Sequence, residues 1–224
     1  MNKRQHISVK HLVEYFQTNE KVNKEIFGYG EDPGITIDDV HYKHLSSLDV
    51  SLQDSILQMK EKDLGTVLDA AGRNPSISQL VTLATINLDL RSQTKESLLS
   101  ELASMAFRGG LACSVEGLYG QLKEREAKGT TALVDSLAIP HAHHPSKDIF
   151  RKSGVMIAVS KRGIDFQAAD GKKTHLFFVP CATNEFMHIR MLVQIASFVQ
   201  QPGILQKLKT AKNNQDILNM LTAS

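Results

Sequence analysis

The run Val155-Met156-Ile157-Ala158-Val159 is apolar at every position. A strand without polar alternation is buried on both faces, so the sheet that holds it needs cover on both sides. Partners for that strand are readable nearby. Ile86-Asn87-Leu88-Asp89-Leu90 alternates as a half-buried strand does, and Leu137-Ala138-Ile139 is a short apolar run stopped by Pro140. Ile164-Asp165-Phe166 begins another strand, Asp170-Gly171 is a hairpin turn, and His175-Leu176-Phe177-Phe178-Val179 returns and stops at Pro180. The cover is helical. Thr94 reads as an N-cap for a helix whose apolar face is Leu98, Leu99, Leu102 and Met105, closed by Gly109-Gly110. Ser114 opens a second helix that ends in Glu124-Arg125-Glu126. Asn184 caps a third, with Ile189, Leu192, Val193, Ala196 and Val199 on one side, and Pro202-Gly203 breaks it. Two short helices, Ile204–Ala211 and Gln215–Leu221, finish the chain. Residues 77–224 are thus predicted to form an α/β domain, a mixed central sheet flanked by helices.

Residues 1–76 form a mostly helical N-terminal extension. A helix is expected over residues 7–27, with Leu12, Val13, Tyr15, Phe16, Val22 and Ile26 at loosely helical spacing. A turn-rich break spans residues 28–34, and Ile35-Thr36-Ile37 is a short strand. His41 and His44, three apart, would share a helix face. Leu45 to Leu68 reads as a helix, and Ala70-Ala71-Gly72-Arg73-Asn74-Pro75 as its stop and a linker. The apolar positions suffice for a face but are few for an independent core. The extension is therefore expected to dock on its own sheet domain or on a second copy of the chain, the latter giving a homo-oligomer.

A formal net charge of +2 with no dense Lys/Arg run gives no nucleic-acid patch. No apolar segment follows the basic start, and none reaches transmembrane length, so neither a signal peptide nor a membrane span is expected. Cys113 and Cys181 lie far apart without a partner motif, the pattern of reduced thiols in a cytoplasmic protein.

The chemistry centres on Leu137-Ala138-Ile139-Pro140-His141-Ala142-His143-His144-Pro145. Proline fixes its own φ and removes a donor, so the next residue leaves the strand end in a constrained turn. The residue presented there is His141, and an imidazole can carry a proton, a metal or a phosphoryl group near neutral pH. Three more features converge on it. Arg125 closes a helix, where its charge would also suit the macrodipole. Thr130 and Thr131 supply loop hydroxyls, and His188 sits in the first turns of the helix after Pro180. His141, His143 and His144 together allow a metal-binding alternative, although no distant carboxylate or Cys ligand is recognisable. No Walker loop or kinase motif set is present, so ATP is not the expected phosphoryl donor.

These pieces, in this order, resemble the enzyme IIA domain of the bacterial phosphoenolpyruvate-dependent phosphotransferase system, of the fructose/mannitol/nitrogen-regulatory type. The resemblance runs over residues 80–224. It rests on the Ile-Pro-His signature at 139–141, the Arg-Glu helix end at 125–126, the Thr pair at 130–131 and His188 within Asn184-Glu185-Phe186-Met187-His188-Ile189. It implies a phosphoryl carrier without metal or cofactor. His141 would accept the phosphoryl group from a histidine-containing phosphocarrier protein. An enzyme IIB or a regulatory target protein would be the downstream partner, with a nitrogen-type regulatory role favoured. His188 and Arg125 would support transfer, and Thr130 and Thr131 would be secondary phosphoryl-binding groups. Two departures stand out. Glycine usually follows the active histidine in this family, and here Ala142 does. The loop Ala132-Leu133-Val134-Asp135-Ser136 is likewise poor in glycine. They motivate the alternative of a phosphotransfer-inactive, protein-binding regulator on the same fold.

Overall fold

The structure, a computed structural model, describes residues 6–25, 35–37, 40–42, 49–72 and 75–223. Its centre is a four-stranded sheet. β5 (Gly154–Ile164) and β6 (Thr174–Cys181) are its long antiparallel pair. The two-residue strands β3 (Ile86–Asn87) and β4 (Leu137–Ala138) lie parallel to β5 and β6 respectively. The order β3-β5-β6-β4 is mixed, as expected. Side chains alternate across it. Val155, Ile157, Val159, Leu176 and Phe178 enter one apolar cluster, while Met156, Ala158, Phe177, Val179 and Cys181 enter the other.

Helices α5 (Lys95–Arg108) and α6 (Val115–Ala127) cover the second face, their N-termini capped by Thr94 and Ser114. The first face carries α7 (Glu185–Val199), capped by Asn184, with α8 (Ile204–Lys209) and α9 (Asn214–Thr222) following. Three strand assignments are corrected. β5 continues through Lys161 and Arg162 to Ile164 as one strand with a register shift, where the sequence reads as two. β6 runs through Pro180, which pairs with Val155. β4 reaches only Leu176 and Phe177, so Pro180 has a strand neighbour on one side alone, where its missing N–H is tolerated. The expected strand to Leu90 shortens to two residues, preceded by a turn of 3₁₀ helix at Leu83–Thr85.

The extension contributes α1 (Val9–Glu25), α2 (Asp49–Leu57) and α3 (Glu61–Ala71), with a hairpin of β1 (Ile35–Ile37) and β2 (Val40–Tyr42). His41 therefore stands on a strand and not on a helix face. Of the helix expected from Leu45 to Leu68, Leu45 to Leu48 lie outside the described residues, and the rest is two helices broken near Lys60. A short helix α4 (Ile77–Leu80) then leads into the sheet domain. Ile26, His44, residues 28–34 and Arg73-Asn74 lie outside the described residues.

The extension docks on its own chain. Leu12, Phe16, Leu52, Ile56, Leu64 and Val67 join the same cluster as α7. Arg190 donates to the Gly72 carbonyl at 2.7 Å, Gln194 to the Pro75 carbonyl at 2.9 Å and Gln200 to the Met59 carbonyl at 2.9 Å. This explains α7 itself. Met191, Ile195 and Phe198 are buried alongside Ile189, Leu192, Val193 and Ala196. A helix buried nearly all round needs cover on both sides. The sheet gives one, and α2 and α3 give the other.

Candidate functional site

His141 follows β4 at the carboxyl edge of the sheet and is fully buried. Its Nδ1 lies 2.7 Å from the Ile139 carbonyl, and its Nε2 lies 3.0 Å from Nε of Arg125. A guanidinium only donates, so Nε2 is the acceptor and Nδ1 carries the proton that the carbonyl receives. The ring is thus held in one tautomer, with the lone pair of Nε2 facing a positive charge.

Arg125 reaches this position because it lies in the last turn of α6, and it is buried. Its other nitrogens are also engaged. Nη1 donates to the Gly129 carbonyl at 2.9 Å, and Nη2 donates to Oε1 of Gln53 at 3.1 Å. Gln53, on α2, donates in turn from Nε2 to the Thr131 carbonyl at 3.3 Å. The planar fork of arginine fits this three-way role, whereas a lysine ammonium would not. His188, in the first turns of α7, brings its ring centroid to 4.9 Å from that of His141 and is also buried.

The two threonines are used locally. Thr130 donates its hydroxyl to the Phe166 carbonyl at 2.6 Å and accepts from the Ala132 amide at 3.1 Å. The Thr131 hydroxyl and amide both bond Oε1 of Glu126, the amide at 2.9 Å. Glu126 is buried and pairs through Oε2 with Lys95 at 2.6 Å. Glu126, Lys95 and Gln53 are contributors that the sequence reading did not single out. Glu126 lies inside the motif itself, but Gln53 is part of no motif and nothing around it in sequence marks it.

The three-histidine alternative is rearranged. Glu124, His143 and His144 bring donor atoms within 4.8 Å of one another, and His141 is not among them. The Lys128 ammonium bonds Nε2 of His143 and holds a positive charge where a cation would sit. His143 is a loop residue yet buried, and its ring packs 3.9 Å from that of His144.

The departures from glycine are accommodated differently. Ala142 keeps a negative φ and is buried in the cluster shared with α5 and α6. Asp135 and Ser136 take the left-handed φ values of 62° and 66° without being glycine. The bend lets the Ser136 carbonyl accept from the His175 and Leu176 amides at 2.9 and 3.0 Å, which seats the loop on β6 beside β4.

Residues of the sheet domain match known proteins. Residues 79–224 match the family model described as the phosphoenolpyruvate-dependent sugar phosphotransferase system, EIIA 2. The fructose-specific EIIA component of Haloferax volcanii is 31% identical over 148 residues, 65% of this chain and 94% of its own length. The fructose-specific EIIABC component of Bacillus subtilis is 25% identical over 147 residues; the match spans 65% of this chain but only 23% of that longer protein. The crystal structure of the nitrogen regulatory protein IIA-Ntr of Neisseria meningitidis superposes with a TM-score of 0.58 at 25% identity, over 65% of this chain and 98% of that one. The chain belongs to the EIIA 2 family of the phosphoenolpyruvate-dependent sugar phosphotransferase system.

Proposed function

We propose that this protein is a phosphoryl carrier that accepts the group on Nε2 of His141. The observation that carries the reading is the pair of bonds on one ring, Nδ1–H to the Ile139 carbonyl and Nε2 to Arg125. They leave a neutral imidazole whose nucleophilic nitrogen faces a permanent cation. In the transfer, the N–P bond of a donor phosphohistidine breaks with its electron pair staying on the donor nitrogen. The Arg125 Nε–H releases Nε2 and turns to the incoming phosphoryl oxygens, and the freed Nε2 pair forms the new bond. The His141 Nδ1 proton stays in place, so exchange between two rings each protonated at the other nitrogen needs no net proton movement. Charge on the equatorial oxygens is met by Arg125 and by His188, so positioning and electrostatics do the catalytic work.

The proposed donor is the histidine-containing phosphocarrier protein, and the proposed acceptor is an enzyme IIB or a regulatory target. The likeness to a nitrogen regulatory protein supports the regulatory choice. A second reading, a binding regulator without phosphotransfer, is favoured by the complete burial of His141. One experiment separates them. The chain is incubated with phosphoenolpyruvate, enzyme I and the phosphocarrier, and acid-labile phosphate is measured. Stoichiometric label supports the carrier. No label under any donor concentration contradicts it.

A further inference from the structure

His141 and His188 are both buried, yet a protein donor has to bring its own phosphohistidine ring against Nε2. Something must move, and the extension holds the site from two directions. On one flank Gln53 of α2 takes the Nη2–H of Arg125 on its amide oxygen and gives its amide N–H to the Thr131 carbonyl. On the other, Phe16 of α1 packs edge-on against Phe186 of α7, the helix that carries His188, at a centroid distance of 5.3 Å, with the Tyr15 ring at 6.4 Å. The two helices share one apolar cluster and are tied by the Ile7 amide before α1, which bonds the Ser55 hydroxyl of α2 at 3.0 Å.

We propose that the N-terminal extension is a cover latched over the phosphoryl-accepting site, with the Gln53 amide oxygen occupying the Arg125 donor that a phosphoryl oxygen takes in the working site. The inference rests on the carrier reading above. It makes docking of the extension and phosphorylation of His141 compete for the same guanidinium. The docked chain is unreactive toward a protein donor, and its observed rate scales with the fraction that is open. A phosphoryl group on Nε2 in turn favours the open form. The family match begins at residue 79, so this device lies in a part of the chain outside the match.

The test uses three full-length forms, wild type, Gln53→Ala and Gln200→Ala, each phosphorylated by the phosphocarrier charged from phosphoenolpyruvate. Gln200 is exposed and far from the chemistry, and it holds the end of α2 through the Leu57 and Met59 carbonyls. Each substitution removes hydrogen bonds that only the docked form makes, which shifts the equilibrium toward the open form about five- to tenfold. Both variants are expected to be labelled faster than wild type by that factor. Amide exchange in Val9–Glu25 and Asp49–Leu57 is expected to speed up when wild type is phosphorylated. Label at unchanged rates in all three forms overturns the latch and leaves the carrier reading standing. A slower Gln53→Ala, whatever Gln200→Ala does, shows that Gln53 positions Arg125 for catalysis and overturns the latch as well. No label in any form overturns the carrier reading and the latch with it.

Discussion

Arg125 donates its Nε–H to Nε2 of His141 over 3.0 Å, between two side chains that have almost no exposed surface. That bond fixes which ring nitrogen carries the lone pair, and it lies at the centre of a fork whose other two nitrogens hold Gly129 and Gln53. Lysine cannot reproduce the fork. Arg125→Lys is expected to slow phosphorylation by one to two orders of magnitude, the effect of losing about 1.5–3 kcal/mol of charge-assisted bonding. His188→Ala is expected to slow it by a similar factor, with the label still on His141. Single-turnover labelling of both variants checks this, and wild-type rates would place these residues outside the site.

Glu126 ties the loop before β4 to α5 by accepting from the Thr131 amide and pairing with Lys95. Glu126→Ala leaves a buried amide and a half-buried ammonium without these partners. We expect a loss of about 2–4 kcal/mol in unfolding free energy, measured by urea titration. A change below about 0.5 kcal/mol would mean that the carboxylate is not holding the loop.

Ser136 carries a left-handed backbone, which costs a residue with a Cβ roughly 1 kcal/mol. Ser136→Gly is expected to stabilise the protein by a few tenths to about 1 kcal/mol after the added chain entropy is subtracted. A fall in melting temperature would show that the serine is compensated by interactions outweighing its strain.

The sheet, the helices around it and the residues now gathered at His141 were legible because they share short-range signals. Thr94, Ser114 and Asn184 cap helices where their side chains reach the third residue on. The apolar run at 155–159 demanded two covered faces, and the structure covers both. Gln53 was not legible. A glutamine in a helix is usually solvated, and its contact with Arg125 spans 72 positions that no local pattern connects. Met191 and Ile195 were equally opaque. Their burial on α7 depends on the extension lying across that helix, a tertiary fact with no periodic signature. The burial of His143 was opaque for a related reason, because a loop histidine becomes buried only when α6 lies alongside it.

Cys181 is buried, and burial pushes its thiol far above the ordinary range because the thiolate would lose its hydration. The folded thiol therefore keeps its proton at pH values where the unfolded one loses it. Its contribution to stability is complete below the unfolded value and declines as pH rises from about 8.5. Cys113 is only partly buried. Alkylation of the native chain at about pH 9 is expected to modify Cys113 and spare Cys181, with both modified in denaturant. Equal labelling of the two in the native chain would contradict this burial.

The central claim, that His141 is the phosphoryl acceptor, is tested most directly by locating the phosphate. The chain is charged from phosphoenolpyruvate through enzyme I and the phosphocarrier, digested at alkaline pH and mapped by mass spectrometry, with His141→Ala alongside. The account predicts one acid-labile phosphoryl group on His141 of the wild type and none on a folded His141→Ala. Phosphate on His143, His144 or His188, or undiminished labelling of His141→Ala, would contradict it.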